Sequence, residues 1–220
     1  MGALLPQPFW FRVAHAARRV EAIPRAKGRL LDLAAAEELV DLGMLDGNDQ
    51  LIRVRAAWND RGLGFSFEHL AKVGEISPDP SRPGGLDQVQ VWVDTRDTRT
   101  VHRATRFCHR FAIGLQRANG RALGTLVTQK PIARALADPP LTKGSLVEAR
   151  AERTVAGYRL ELFLPAEALQ GFDPAENRRL GLAWQVTDPD RGEIYSALGR
   201  DFPVGDDPSL WATLVLDDGP

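Results

Sequence analysis

The densest group of chemically capable side chains lies between Asp94 and Arg106, in a run of aspartate, threonine, arginine and histidine. Its acids and its histidine could bind a metal ion, and its arginines could clamp a carboxylate, a phosphate or a protein partner. The possible metal ligands are Asp94, Asp97 and His102. The possible anion or partner contacts are Arg96, Arg99, Arg103 and Arg106. We favour a solvated connection in which these side chains cap the backbone and bind one another, because such caps are common in loops.

Cys108 and His109 follow directly and are the residue types of a nucleophile and its base. Adjacent residues of a strand point to opposite faces, so the two cannot share a proton unless the strand is bulged. We therefore interpret Cys108 as an inert buried thiol and His109 as a core histidine with a satisfied hydrogen bond.

Motifs of known catalytic sites are missing from the sequence. The run from Gly62 to Phe67 begins like a dinucleotide loop, but it lacks the third glycine and leads into a strand. The sequence has no phosphate-binding loop, no nucleophile elbow, no zinc-protease motif and no cysteine pair. We predict neither an enzyme nor a resident cofactor or metal.

A different group of polar side chains lies opposite the apolar stripes of three predicted strands. Gln88, Gln90 and Trp92 share one face of their strand, Cys108 and Arg110 share one face of the next, and Gln185 lies opposite the stripe of Leu182 and Trp184. If these strands share a sheet, they form a polar surface that suits sugars, because amides and guanidinium bind hydroxyls and an indole covers an apolar sugar face. An ordinary solvent-facing sheet, or one covered by loops, is equally compatible with the pattern.

Alternating apolar residues and turn residues predict the elements that would position these groups. The predicted strands cover 51–58, 63–69, 88–94, 107–115, 146–152, 158–164, 180–186 and 210–216. Short helices are predicted at 31–42, 131–137 and 166–169, and a loop at 77–85. Many short strands joined by glycine, proline and aspartate turns predict a mainly β protein, an antiparallel β-sandwich of jelly-roll type with one or two short helices.

Length and charge narrow the class of protein further. The chain has 220 residues, a net charge of −1 and one cysteine. We expect one domain, with residues 1–50 as an added strand or cap and residues 51–216 as the core. Basic residues form no patch and no apolar run reaches membrane length, so we predict neither a nucleic-acid partner nor a membrane one. The N-terminal residues do not resemble a secretory signal, and we expect a cytoplasmic protein.

The order of several motifs resembles that of family 9 carbohydrate-binding modules and related DOMON-like sandwiches. Ala57-Trp58-Asn59-Asp60 is similar to the opening of their "W-D-D-x-x-L-Y", and 87–94 is similar to "D-x-V-E-L-F-L-D". Residues 158–165 resemble "Y-x-V-E-x-x-I-P", and 180–188 resemble "I-G-F-x-x-Q-V-N-D". A run like that of 94–111 also occurs in uncharacterised bacterial proteins of planctomycete type. The resemblance implies a jelly-roll-like sandwich with a concave face for sugar.

In that family a carboxylate, an arginine on the following strand and a later glutamine line the site, and these positions correspond to Gln90, Arg110 and Gln185. Gln90 is an amide where the family has glutamate, and the loop 70–86 has no aromatic residue where the family has a sugar-clamping tryptophan. Our hypothesis is a non-catalytic domain that binds a glycan or another polar small molecule. The predicted contacts are Gln90, Trp92, Arg110, Glu161 and Gln185. The alternatives are a protein-interaction domain that uses the 94–106 insert and, least favoured, an enzyme or metal protein that uses Asp97, His102, Cys108 and His109.

Overall fold

Eleven strands and four short 3-10 helices build the described part of the chain. The computed structural model describes Phe9 and residues 12–78, 85–117, 120, 122–142 and 146–219, with only the backbone of Asp46. The strands are β1 (Ala14–Arg19), β2 (Ile52–Asn59), β3 (Gly62–His69), β4 (Gln88–Asp94), β5 (Cys108–Gln116), β6 (Ala122–Gln129), β7 (Glu148–Arg153), β8 (Tyr158–Pro165), β9 (Arg179–Asp188), β10 (Gly192–Tyr195) and β11 (Ala212–Asp217). The 3-10 helices are Ala35–Glu37, Leu42–Asp46, Ala166–Ala168 and Pro208–Leu210.

Hydrogen bonding between strands follows the order β10-β9-β11-β1-β2-β3-β8-β7-β6-β5-β4 and returns through a β4–β9 pair. Two of the strand pairings in this order are short. Strand β1 pairs with β2 through only two residues of each strand, and β6 pairs with β7 through only two residues of each strand. The path bends at these places, and the strands form two packed layers. The predicted mainly β sandwich is confirmed.

The core lies between the layers because one side chain in two along most of the strands is apolar. Val89, Val91 and Val93 of β4 are buried there, in one cluster with residues such as Phe65 and Leu162 of the other layer. Burying such side chains contributes about 1.5–3 kcal/mol each relative to leaving them exposed. The residues of the opposite register of β4, β5 and β9 therefore lie on the outer face of their sheet, away from the core.

Several sequence-based expectations for individual elements were wrong. Residues 31–42 contain the three-residue 3-10 helix Ala35–Glu37 and the first residue of Leu42–Asp46 in place of one helix, and residues 131–137 form turns. Strands β6 and β10 were not predicted, and β1 was expected only as an added strand or cap somewhere within residues 1–50. The sequence of β1, Ala-His-Ala-Ala-Arg-Arg, has little apolar bulk, and β1 forms because it pairs in parallel with both β11 and β2. Most of the predicted loop 77–85 lies outside the described residues.

The segment after β1 covers the outer face of the other layer. Ile23, Leu30 and Leu31 are fully buried there against Ala57 and Phe163. Residues 14–33 thus contribute both a strand and a cap to the sandwich.

A buried network of charged groups ties together three loops at one end of the sandwich. The Lys72 ammonium lies 3.1 Å from Asp87 Oδ1, 3.1 Å from Asp188 Oδ1 and 3.4 Å from Asp190 Oδ2. His69 Nε2 lies 2.8 Å from Asp188 Oδ2, and both side chains are fully buried. We call His69, Lys72, Asp87, Asp188 and Asp190 the buried ionic network. Buried charges need such pairing, since the cost of removing them from water is several kcal/mol per ion.

Candidate functional site

The outer face of β5, β4, β9 and β10 carries most of the predicted contacts side by side. The strand register places Trp92 opposite Arg110, Gln90 opposite Gln185, and Gln185 opposite Tyr195. These strands are neighbours in one sheet, so the structure brings Gln90, Arg110 and Gln185 together as the alternation predicted.

Four of these side chains form a continuous hydrogen-bonded row. Arg110 donates from Nε and Nη2 to Gln90 Oε1 at 3.0 and 2.6 Å. Gln90 Nε2 donates to Gln185 Oε1 at 3.1 Å, and Gln185 Nε2 donates to Tyr195 Oη at 3.5 Å. We call Arg110, Gln90, Gln185 and Tyr195 the polar ladder. The donors run in one direction, from Arg110 toward Tyr195, and each of the two amides keeps one further N–H. Gln90 and Gln185 are 8% and 7% exposed.

Arg110 is half-buried, and its hydrogen bonds reach only neutral oxygens. Besides Gln90, Nη1 donates to the Pro131 carbonyl at 3.4 Å. Burial lowers the pKa of Arg110, and the field of Asp206 opposes that effect without an ion pair. Among the described residues no carboxylate lies within 4.0 Å of its guanidinium. The polar ladder thus ends in a cation whose charge is not neutralised by contact.

Trp92 does not present its ring to solvent. Its side chain is 2% exposed and packs in a second apolar cluster with Val204 and Trp211, outside the main core. A Cβ atom on Gly205 would lie 3.5 Å from the indole, so the loop at Gly205 covers the ring. The Arg110 guanidinium lies 5.2 Å from the ring centre. The predicted use of Trp92 as a sugar-stacking surface is contradicted by this burial.

A pocket of about 260 Å³ adjoins the polar ladder on the same face. Its floor contains the small residues Ala112 and Gly114 of β5, and Ala112 is the strand partner of Gln90. The polar lining comes from Gln88, Gln116, Thr128 and Lys130, and the apolar lining includes Leu86 and Leu126. We call this the concave pocket. Small floor residues let a ligand approach the sheet closely, while its polar rim supplies hydrogen bonds.

Tyr195 and Lys130 belong to this region but were not predicted from the sequence. Tyr195 lies on β10, whose four residues follow the turn predicted at 188–192. Its hydroxyl donates to Glu193 at 2.7 Å, and burial together with this hydrogen bond raises the pKa of Tyr195 to about 12. Continuing the alternation beyond that turn would have found Tyr195. Lys130 gave no signal, because β6 was not recognised.

Glu161 lies apart from the other four predicted contacts. It is on β8, in the opposite layer, and its carboxylate accepts the N–H groups of Leu31 at 3.2 Å and Asp32 at 3.0 Å. These bonds fasten the N-terminal cap to the sheet. The structure therefore gives Glu161 a positioning role for the cap and separates it from the polar ladder.

The four arginines of the insert all contact groups of the same chain. They are Arg96, Arg99, Arg103 and Arg106. Arg96 donates to the Gly171 carbonyl at 3.1 Å, and Arg96 and Arg106 lie 4.8 and 5.0 Å from the ring centre of Phe107. Arg99 pairs with Asp97 at 3.2 Å, and Arg103 donates to the Arg134 carbonyl at 2.8 Å. Their contacts match the interpretation of a self-capped connection, and a protein partner for the insert stays a prediction.

Asp94 holds the start of this insert. Its carboxylate accepts the N–H of Arg96 at 2.9 Å and that of Thr98 at 2.6 Å. Burial raises the pKa of Asp94, against the effect of those two hydrogen bonds. A buried aspartate that caps two backbone groups has a structural reason to be here.

The residues of the least favoured hypothesis lie in separate places. Asp97 accepts from Thr213 at 2.8 Å, whereas His102 is 76% exposed and lies 3.0 Å from Asp207. Ser209 also approaches His102, but it reaches Nδ1, the same ring nitrogen that Asp207 contacts. A Ser-His-Asp relay needs the two partners on opposite ring nitrogens.

Cys108 and His109 point to opposite faces of β5. Cys108 lies in the outer apolar cluster, and burial raises the pKa of its thiol to about 11. His109 lies 3.3 Å from the Gln170 carbonyl, and burial lowers its pKa to about 4. The interpretation of an inert thiol beside a core histidine agrees with these positions.

Within the described ranges, no three or more histidine, cysteine, aspartate and glutamate residues are grouped as a metal site. No helix in that same part of the chain is both long and apolar enough to cross a membrane.

Comparisons with known proteins point to one fold. A scan against protein-family models and a search of curated proteins gave no match. The solved structures that match include two of a family 9 carbohydrate-binding module from Caldicellulosiruptor kristjanssonii. The cellotriose complex has 12% identity and a TM-score of 0.59 over 94% of this chain and 95% of that one. The glucose complex has 12% identity and a TM-score of 0.60 over 94% and 97%.

At this identity the likeness shows the fold alone. The sandwich of this chain is thus similar to that of family 9 carbohydrate-binding modules, as the motif order predicted. The resemblances to DOMON-like proteins and to planctomycete proteins stay predictions.

Proposed function

We propose that this chain is a non-catalytic binding domain that takes a glycan, or another polar small molecule, on the outer face of β5, β4 and β9. The observation that carries the proposal is the polar ladder beside the concave pocket. Amide and guanidinium groups donate to the closely spaced hydroxyls of a sugar, and the small apolar floor at Ala112 and Gly114 accepts its C–H face.

The solved structures of similar fold support the choice of a sugar over other polar molecules. Their modules are in complex with cellotriose and with glucose, and their fold is similar over almost the whole chain. A sheet face is broad enough for such ligands, since neighbouring strands are about 4.8 Å apart and the ladder crosses four of them. The burial of Trp92 leaves hydrogen bonding, more than ring stacking, as the source of affinity at the ladder.

The test is a glycan screen by thermal shift, followed by calorimetry on each hit, because a ligand that binds the folded state raises the melting temperature. The double variant Gln90→Ala/Arg110→Ala should weaken binding of the hits at least tenfold, which is about 1.4 kcal/mol.

The matched control is Asn177→Ala/Arg18→Ala, which also removes one amide and one guanidinium. Arg18 lies on β1, and β11 lies between β1 and β9 in the strand order. Asn177 lies just before the first residue of β9, whereas Gln185 lies near the last residue of that strand. This variant should bind like the parent. The proposal fails if no glycan binds, or if the ladder variant keeps the parental affinity for every hit.

The cytoplasmic location expected from the sequence remains part of this proposal. A fusion to a fluorescent protein in the native cell would test it, and fluorescence outside the cytoplasm would contradict it.

A further inference from the structure

The end of the polar ladder carries a second cation next to Arg110. The backbone N–H of Lys130 donates to the Arg110 carbonyl at 2.8 Å and so extends the pairing of β5 with β6. Ala112 is paired with Thr128 and Phe111 with Gln129, so the same antiparallel register places Arg110 opposite Lys130. Side chains alternate along both strands, and the two cations therefore share the outer face with the concave pocket.

Two like charges directly opposite each other on a sheet are destabilising. A carboxylate between them would remove that cost, but among the described residues neither cation has an acid within ion-pair distance. The remaining polar lining of the concave pocket, Gln88, Gln116 and Thr128, is neutral. Among the described residues that line the concave pocket only Lys130 is charged, and Arg110, which the field of Asp206 also reaches, lies next to Lys130 through the strand pairing. The side of the pocket at Lys130 is therefore positively charged.

Several arginines elsewhere on the sheets are paired with acids. Arg159 lies 2.7 Å from Glu68, and Arg53 lies 3.2 Å from the same carboxylate. The whole chain carries a net charge of −1, so the unpaired cations at the pocket do not reflect a general excess of positive charge.

The donors that remain free show how an anion would be held. Three N–H positions of Arg110 are directed to Gln90 and Pro131, so its guanidinium mainly contributes charge. Lys130 is exposed at the pocket rim and has three ammonium donors that can follow a ligand. Gln88 and Gln90 lie on the same face. Gln88 is half-buried, whereas Gln90 is 8% exposed and keeps one amide N–H beyond its bond to Gln185.

From this arrangement we infer that the ligand is an acidic sugar, a hexuronic acid unit whose carboxylate lies between Lys130 and Arg110 while its hydroxyls meet the glutamine amides. The inference rests on the proposed function and names the class of glycan. A sulfated sugar offers a similar anion, and the experiment separates the two.

The experiment measures binding of glucuronate and galacturonate oligosaccharides, of their methyl esters and of a sulfated disaccharide to the intact chain by calorimetry. The methyl esters have the same shape as the acids but no charge. An acid should bind at least tenfold more tightly than its ester at low salt, and this ratio should shrink in 0.5 M NaCl because salt screens exposed charges. Lys130→Met should lower affinity for the acid about fivefold to tenfold and leave that for the ester unchanged. Lys27→Met, an equally exposed lysine elsewhere, is the control.

Equal affinity for acid and ester, or an equal loss of both in Lys130→Met, overturns the inference while sugar binding itself stands. Tighter binding of the sulfated disaccharide than of any uronate overturns the assignment of a carboxylate. If no acid, ester or neutral glycan binds, the inference and the proposed function fall together.

Discussion

Replacing Lys72 with methionine removes the central cation of the buried ionic network and keeps the length of the side chain. The Lys72 side chain is 3% exposed, and the carboxylates of Asp87 and Asp188 that it contacts are fully buried. Methionine can fill the space of the lysine stem, so the change acts mainly through charge. Two buried carboxylates are left without their shared cation.

Breaking a buried ion pair by removing one partner costs about 3–5 kcal/mol. We expect a loss near the lower end, about 3 kcal/mol at neutral pH. Asp188 keeps His69 at 2.8 Å, and Asp87 Oδ2 keeps the N–H of Ser77 at 2.8 Å. These remaining bonds satisfy part of each carboxylate and limit the loss in the free energy of unfolding.

The loss in unfolding free energy caused by Lys72→Met should depend on pH, and its direction follows from the pKa values of Asp188 and Asp87. Burial alone would raise the pKa of Asp188, but hydrogen bonds from His69 and Lys72 hold it well below its ordinary value. Asp188 therefore stabilises the parent above its unfolded pKa of about 4, and this contribution is lost as the pH falls below that value. Burial raises the pKa of Asp87, so its contribution has the opposite sign and increases as the pH falls toward about 4.

Without Lys72 the pKa of Asp87, which burial already raises, rises further, and the folded variant takes up a proton there at a pH at which the unfolded chain does not. His69 still holds the pKa of Asp188 down. The stability gap between parent and variant should therefore narrow from pH 7 to about pH 4.5, by about 1.4 kcal/mol for each unit of raised pKa within that window. Urea unfolding at pH 7 and at pH 4.5, monitored through the fluorescence of the five tryptophans, measures the difference in unfolding free energy between parent and variant at each pH.

The exposed Lys27 provides the control, since Lys27→Met should change stability by no more than about 0.5 kcal/mol. The reasoning is refuted if Lys72→Met costs no more than this control at pH 7. If the difference in unfolding free energy between parent and variant is the same at pH 7 and pH 4.5, the assignment of its pH dependence to Asp87 is refuted.

Three further predictions concern single positions. Gly62→Ala should lower the free energy of unfolding by more than about 3 kcal/mol, because the φ of Gly62 is +147° and a Cβ there would clash with the Leu164 carbonyl oxygen. Gly192→Ala, at a φ of +82° with open space around it, should lower it by only about 1–2 kcal/mol. Equal urea midpoints for the two variants would contradict this prediction. Cys108 should resist thiol reagents at pH 8 until the protein unfolds, and rapid native labelling, followed by absorbance, would disprove its burial. Glu161→Ala should lower stability by about 2 kcal/mol without changing glycan affinity in calorimetry, and a selective loss of affinity would place Glu161 in the site after all.

Strong alternation made several strands predictable from the sequence. Strand β8, with Tyr158, Leu160, Leu162 and Leu164 on one face, lies where the pattern placed it. A strand such as β1 could not be found this way, because it contains alanine, histidine and arginine and depends on neighbours far along the chain. The predicted helix at 31–42 failed for a related reason, since Leu31 is buried against the outer face of a sheet and not along a helical stripe.

The sequence by itself determined the class of fold and the face of its own strand on which each of Gln90, Arg110 and Gln185 lies, because side chains alternate with a period of two. The pairing of β4 with β5 and with β9 then brought the three side chains together. Tertiary structure decided which members of that face remain accessible. Whether Trp92 is open depends on the loop at Gly205 folding back over it, and the position of Lys130 beside Arg110 depends on the pairing of β6 with β5. Both are contacts between residues far apart in the chain, and local patterns carry no record of them.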